Sequence, residues 1–208
     1  MIVIVDYGMG NLHSVRKAFA SLGEDVAISS RPEDVAKAER VILPGVGAFG
    51  DAMQRLEATG LAEACRAAAR AGKPMLGICL GMQLMFDASE EDPGVPGLGI
   101  FSGTVRQIIA PGLKVPHMGW NALKVRSGGA GSLFTGLPEN PFVYFVHSYH
   151  PVPDDPDLIT ATAEYGGEIT AAVGRENVAA VQFHPEKSGA VGLKILDNFR
   201  RIAGGGKR

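Results

Sequence analysis

The chain opens on an unbroken apolar run closed by an acid, Met1-Ile2-Val3-Ile4-Val5-Asp6, the pattern of a central parallel strand covered on both faces. Leu12, Val15, Phe19 and Leu22 then recur at helical spacing, with Gly23 as a stop and Asn11 where an N-cap side chain belongs. The alternation repeats. Residues 25–29 read as a second strand, 32–38 as a short helix, 40–43 as a third strand and 51–71 as helical. Residues 73–78 read as a buried strand and 80–86 as the start of a helix. Continuous apolar strands alternating with helices predict an α/β fold on a mostly parallel central sheet flanked by helices.

Past residue 90 the pattern turns strand-like. Residues 103–109 alternate with β-branched side chains, and Pro111, Gly112 and Pro116 break the stretch 99–123 into hairpin-like pieces, which predicts additional antiparallel strands. Residues 142–148 read as another buried strand, and 159–165, 171–173 and 178–183 as further strands. A last helix over 190–202 carries Val191, Ile195, Leu196 and Phe199 on one side. With no internal repeat and no linker, residues 1–203 read as one domain and 204–208 as a disordered tail.

Composition narrows the function classes. The chain has 208 residues, 46% hydrophobic, enough for a full core in one α/β domain. A net charge of −2 argues against a nucleic-acid or anionic-membrane surface. No basic leader with an apolar core opens the chain and no apolar run approaches a membrane span, so a cytoplasmic protein is expected. Cys65 and Cys79 are too few for a disulfide framework, and Cys65, set among alanines, reads as packing. The acids in Ser89-Glu90-Glu91-Asp92-Pro93-Gly94 read as a solvated loop.

The candidate chemistry centres on Gly77-Ile78-Cys79-Leu80-Gly81-Met82-Gln83. A cysteine between a strand and a helix, with glycine two residues to either side, has the form of a nucleophile elbow. The turn lifts the side chain off the sheet, and the helix start behind it favours a thiolate. A small buried cysteine at a strand end is the other reading of the same stretch. The loop Pro44-Gly45-Val46-Gly47-Ala48-Phe49-Gly50 carries three glycines, which leave backbone N–H groups free to face a ligand.

Of the five histidines, His184 is best placed to serve a thiol. It ends an apolar strand, and Glu186 follows at the same-side spacing of an extended segment, where a carboxylate can hold one ring nitrogen. A capped strand end with a surface Glu is the bland alternative. Gly8-Met9-Gly10 lacks the third glycine of a dinucleotide fingerprint, His13 standing there. No helix carries two histidines at i, i+4, and His147 and His150 share a loop-like neighbourhood, so neither a metal nor a cofactor is expected.

Together Pro44-Gly45-Val46-Gly47, the Cys79 elbow and His184-Pro185-Glu186 resemble the signatures of the class-I (triad) glutamine amidotransferases. The resemblance implies the class-I glutaminase fold and a catalytic triad: Cys79 as nucleophile, His184 as base and then acid, Glu186 orienting it. It further implies an oxyanion hole from the backbone N–H of Leu80 and one from the loop at Val46 and Gly47. Glutamine would be bound by Gln83 and Glu91, in a pocket lined by Ser148 and Tyr149.

Within the family, further runs resemble those glutaminase subunits that feed ammonia to a (β/α)8-barrel cyclase in histidine biosynthesis. These are Asp6-Tyr7-Gly8-Met9-Gly10-Asn11-Leu12, Pro116-His117-Met118-Gly119-Trp120-Asn121, Tyr144-Phe145-Val146-His147-Ser148-Tyr149 and Gln182-Phe183-His184-Pro185-Glu186-Lys187-Ser188. That likeness implies a heterodimer with Asn11, Trp120, Tyr144 and Lys187 at the interface, and low activity without partner and nucleotide ligand. Ser14 departs from the amide some members carry. Two other readings share the elbow: a glutaminase serving a different synthase, and a redox-sensing protein with a reactive thiol but no dedicated His-Pro-Glu.

Overall fold

The structure is a computed structural model and describes residues 1–126 and 133–202, so the expected disordered tail at 204–208 lies outside the described residues. The first half alternates: β1 (Ile2–Val5), α1 (Leu12–Ser21), β2 (Val26–Ser29), α2 (Pro32–Lys37), β3 (Arg40–Gly45), α3 (Phe49–Ala58), α4 (Leu61–Arg70), β4 (Met75–Cys79) and α5 (Leu80–Leu84). Short strands follow: β5 (Ala88–Ser89), β6 (Gly103–Gln107), β7 (His117–Ala122), β8 (Lys124–Val125), β9 (Phe142–His147) and β10 (Tyr149–Pro153). The chain closes with β11 (Ile159–Glu164), β12 (Glu168–Arg175), β13 (Val178–Val181) and α6 (Gly189–Arg200).

The eight-stranded central sheet runs β2-β1-β3-β4-β13-β12-β11-β8. Its first five strands are parallel and its last three antiparallel. Burial explains the continuous apolar strands. Val3, Val5, Val41, Leu43 and Met75 face a core with α2, α3, α4 and α5, while Ile2, Ile4, Ile42, Leu76 and Ile78 face a second core with α1, α6 and β9. A strand covered on both sides has no polar face to show.

The hairpin-like expectation for 99–123 is corrected. β6 pairs with β10 and β5, whereas β7 pairs with β9, so the two halves of that stretch belong to different sheets. The expectation of a buried strand over 142–148 holds for one face of it. In the β7–β9 ribbon Val143, Phe145 and His147 point inward, while Phe142 is exposed and Tyr144 and Val146 are half-buried. A two-stranded ribbon laid over a core has one wet face, hence its alternating burial.

Two local expectations change as well. The Asn11 side chain makes no capping bond, and α1 is started by its backbone carbonyl, which accepts from the N–H of Ser14 and Val15 at 3.1 and 3.3 Å. The acids after β5 are not all solvated. Glu91 Oε2 accepts from the Phe49 N–H at 2.9 Å and Asp92 Oδ2 from the Gly50 N–H at 2.7 Å, so both carboxylates clasp the start of α3, where unpaired N–H groups and the helix dipole favour anions.

Candidate active site

The elbow is built by close backbone contact. Cys79 has φ 56° and ψ −113°, a conformation sparsely populated by residues with a Cβ and costing on the order of 1–3 kcal/mol. The flanking glycines allow it: a Cβ on Gly81 would overlap the Leu43 carbonyl oxygen, and one on Gly77 would lie 3.0 Å from the Gly81 oxygen. Strand β4 thus turns into α5 within one residue, at the C-terminal edge of the parallel sheet, where open α/β sheets place their sites.

The thiol S–H lies 3.9 Å from the Val146 carbonyl, and the Gln182 amide donates to Sγ at 3.8 Å. Cys65, by contrast, is sealed inside α4, and burial pushes its thiol up to about 12, only partly opposed by Arg66.

His184 and Glu186 lie beyond β13. Glu186 sits in a 3-10 turn, Pro185–Lys187, so the extended spacing expected for it is replaced by a tight one, with the same result: Nδ1 of His184 is 2.8 Å from Oε1 of Glu186. Both side chains are almost fully buried, at 2% and 1% exposure, and neither Nε2 of His184 nor Oε2 of Glu186 has a hydrogen-bond partner. Burial on its own would lower the His184 pKa. The interactions with Cys79 and with Glu186 outweigh it and raise it to about 9.

These groups surround a cavity of about 400 Å³, lined by Val46, Gly47, Cys79, Leu80, Gln83, Glu91, Pro116, Val146, His147, Ser148, Tyr149 and His184. The glycine-rich loop enters from β3 and is braced from below: the Tyr7 hydroxyl donates to the Pro44 carbonyl at 2.9 Å. Gly47 has φ 99°, and a Cβ there would lie 2.6 Å from the Met9 side chain. Val46 at its tip is 42% exposed.

The match to known proteins follows that geometry. The family model for class-I glutamine amidotransferases matches residues 3–202. The chain belongs to the class-I glutamine amidotransferase family. Its relatives are close and full-length. One from Thermosynechococcus vestitus, "Imidazole glycerol phosphate synthase subunit HisH", is 52% identical over 95% of each chain. Its counterpart of the same name from Moorella thermoacetica is 51% identical over 97% of this chain and 94% of its own.

Among solved structures, "Crystal structure of glutamine amidotransferase" superposes with a TM-score of 0.72 at 18% identity over 96% of this chain and 98% of its own. "Structure of PurLQS from Thermotoga maritima" also gives 0.72, at 20% identity over 96% of each chain. These two show that this amidotransferase has the α/β fold of its family.

The amidotransferase brings nine of the expected residues to one cavity: Cys79, His184, Val46, Gly47, Leu80, Gln83, Glu91, Ser148 and Tyr149. Glu186 stands behind His184. The remaining four lie on another surface. Trp120 and Tyr144 are register partners across β7 and β9 with ring centroids 6.2 Å apart, and Lys187 Nζ lies 5.8 Å over the Tyr144 ring. Asn11 is exposed at the head of α1, which packs on the 3-10 turn carrying Lys187.

His150 is elsewhere: on β10, its Nδ1 accepts from the Thr170 N–H at 3.3 Å and it does not line the cavity. His147 and His150 are therefore strand residues, not loop neighbours. Among the described residues no group of three acidic, cysteine or histidine side chains is arranged to hold a metal, and no helix is long and apolar enough to cross a membrane. Sequence reasoning missed Gln182, Val146, Pro116 and His147 as parts of the site. Gln182 alone carried a signal, as a polar residue inside the apolar run 178–183.

Proposed function

We propose that this chain is the glutaminase subunit of an imidazole glycerol phosphate synthase, hydrolysing glutamine to glutamate and ammonia and passing the ammonia to a (β/α)8-barrel cyclase in histidine biosynthesis. Cys79 and His184 side by side on one cavity, with Glu186 bonded behind His184, in a chain about half identical to subunits of that name, carry the reading. A cytoplasmic location and a domain spanning residues 1–203 go with it.

The Cys79 sulfur, as thiolate, attacks the side-chain carboxamide carbon of glutamine. Its proton is held by His184, whose raised pKa keeps the imidazolium populated at neutral pH. Negative charge moves to the carboxamide oxygen, which the N–H of Leu80 and one from the Val46–Gly47 segment receive. One such donor is typically worth roughly 10²–10³ in rate. The imidazolium then protonates the departing nitrogen through Nε2, the C–N bond breaks, and ammonia leaves a thioester on Cys79. Water attacks the thioester with His184 taking its proton, and glutamate departs with the thiol restored. Glu186, bonded to Nδ1, fixes which nitrogen faces the sulfur throughout.

Gln83 spends both amide hydrogens inside the protein, on the Tyr149 carbonyl at 3.0 Å and Gln182 Oε1 at 3.1 Å. Its Oε1 is left to accept from the ammonium of glutamine. Glu91 lines the same pocket from the clasp it makes on α3. The half-exposed Val46 peptide is a natural switch, since rotating one N–H out of the oxyanion hole removes a donor without moving the triad. The ammonia produced enters the cyclase, which forms imidazole glycerol phosphate and an aminoimidazole carboxamide ribotide. The exposed face of Met118, Trp120 and Phe142, flanked by Tyr144, Lys187 and Asn11, is the docking side.

Glutamate release, measured with the chain alone and then with a barrel cyclase and its nucleotide ligand, tests this. Turnover confined to the full mixture and absent in Cys79→Ala supports the proposal. Equal turnover by the chain alone points to a glutaminase of another synthase. A thiol that oxidises with mild peroxide, with no glutamine turnover in any mixture, points to the redox-sensing reading.

A further inference from the structure

Behind the cavity a single chain of hydrogen bonds runs from the β7–β9 ribbon to the nucleophile. Asn121 Nδ2 donates to the Glu164 carbonyl at 2.9 Å and to His117 Nε2 at 3.2 Å. His117 Nδ1 lies 2.9 Å from His147 Nε2, and His147 Nδ1 lies 2.8 Å from the Tyr149 carbonyl. From the other side Gln83 Nε2 reaches the same carbonyl at 3.0 Å and Gln182 Oε1 at 3.1 Å, and Gln182 Nε2 reaches Cys79 Sγ at 3.8 Å.

The polarity of every link is fixed. A carbonyl oxygen only accepts. The Tyr149 oxygen therefore forces Nδ1–H on His147, which leaves Nε2 bare to accept from Nδ1–H of His117, whose own Nε2 accepts from Asn121. On the other branch the Tyr149 oxygen forces the amide nitrogen of Gln83 toward it. The second hydrogen of that nitrogen then takes Gln182 Oε1, which turns Gln182 Nε2, and not its oxygen, to the sulfur. A flipped Gln182 would set nitrogen against nitrogen at one end and oxygen against sulfur at the other. Gln182 is wholly buried, so no water competes for its amide.

We propose that Gln182 is a further catalytic residue, an orientationally locked N–H donor that stabilises the Cys79 thiolate and aims its sulfur. The inference rests on the reading of Cys79 as the nucleophile. A donor aimed at a charged atom in a dry site strengthens as the charge forms, and favours the thiolate over the thiol. His184 supplies the charge partner from one side and Gln182 a neutral, non-titrating donor from another.

Alkylation of the full chain by iodoacetamide across pH, followed by intact mass, reads the thiolate directly and needs no glutamine. Cys65, fully buried with its thiol near 12, stays unlabelled, which Cys79→Ala verifies. Gln182→Met keeps the length and removes the donor. Its alkylation midpoint is expected about one pH unit higher than that of the parent chain. Gln182→Leu removes the donor with an apolar side chain of similar size. It is expected to shift the midpoint the same way, and it carries the test if Gln182→Met does not fold.

A shifted midpoint in a folded variant supports the role, even if the chain turns over no glutamine, an outcome that overturns the glutaminase reading alone. A Cys79-dependent glutaminase whose folded Gln182 variants alkylate along the parental profile overturns the role of Gln182.

Discussion

Two buried histidines line the same cavity, each paired with a group behind it, and their surroundings push their pKa values in opposite directions. His184 leans on Glu186, 2.8 Å away, and its pKa stands at about 9. His147 leans on His117 at 2.9 Å and on the Tyr149 carbonyl, and burial drives it down to about 3, with the neighbouring histidines adding to the effect. His117 is likewise pushed down by burial, to about 4. Both leading side chains are nearly inaccessible to water. Burial is thus common to the two pairs and cannot be what separates them. A thiol and a carboxylate next to one ring favour its protonated form, whereas a second imidazole and a carbonyl leave the other ring neutral and hydrogen-bonded at both nitrogens.

Exchanging a member of each pair is the hardest test of that contrast. His184→Ala removes the proton carrier and is expected to lower glutamine turnover by roughly 10⁴ or more in the complex, judged by losses on removing triad members elsewhere. His147→Asn breaks only the connector and is expected to cost about tenfold, the scale of one lost hydrogen bond. Comparable losses from the two variants would mean that the distinction between the pairs is false.

The next largest effect isolates the carboxylate. Glu186→Gln leaves the shape and removes the charge, so the His184 pKa falls from about 9, with the interaction with Cys79 left to oppose burial alone. Turnover is expected to fall by roughly 10³–10⁴, with the alkaline limb of its pH profile displaced to lower pH. A profile that keeps its position would remove Glu186 from the account of why His184 is charged.

Much of this was legible in the sequence because the causes are local. The strands β1, β3 and β4 announced themselves as continuous apolar runs because both sheet faces are covered, and the elbow was marked by Gly77 and Gly81, whose missing side chains the Leu43 carbonyl and α5 require. What was hidden depends on long-range pairing. Nothing in residues 99–123 says that β6 finds β10 while β7 finds β9, because a strand's own pattern records its burial and not its partner. His117 and His147 are register partners 30 residues apart, so their pairing appears only once the ribbon forms. Glu91 and Asp92 resemble any acidic loop until α3 supplies unpaired N–H groups 42 residues away. His184 and Glu186 were readable as a pair, although by a tight turn in place of the extended spacing.

The ribbon that carries the connector inward carries Trp120 outward, 56% exposed, and this sharpens the comparison at smaller cost. Trp120→Ala leaves both cores intact and removes a half-exposed ring with its edge contact to Tyr144, so its stability is expected to change by about 1 kcal/mol. Affinity for the cyclase, read by titration calorimetry, is expected to drop about tenfold or more, as for an aromatic anchor at an interface. Unchanged affinity would place the docking side elsewhere and leave the ribbon with a purely internal role.

The smallest effect is also the one that sees both pairs at once. An unfolded histidine titrates near 6.5. Between pH 3–4 and 6.5 the unfolded chain binds protons that folded His147 and His117 refuse, so stability rises with pH through that window. For His184 the sign is opposite, because the folded ring keeps a proton between 6.5 and about 9 that the unfolded ring has lost. Its contribution is fully present below 6.5 and is lost as pH rises through 9. Each proton is worth at most about 1.4 kcal/mol per pH unit where it differs fully between the states. Urea midpoints measured across pH should therefore peak near 6.5. His147→Asn should flatten the acid limb alone and His184→Ala the alkaline limb alone, because each removes only one of the two opposed proton differences. A single variant that flattened both limbs would show the pairs to be one coupled titrating unit, and the opposition between them, carboxylate against carbonyl, would no longer explain the site.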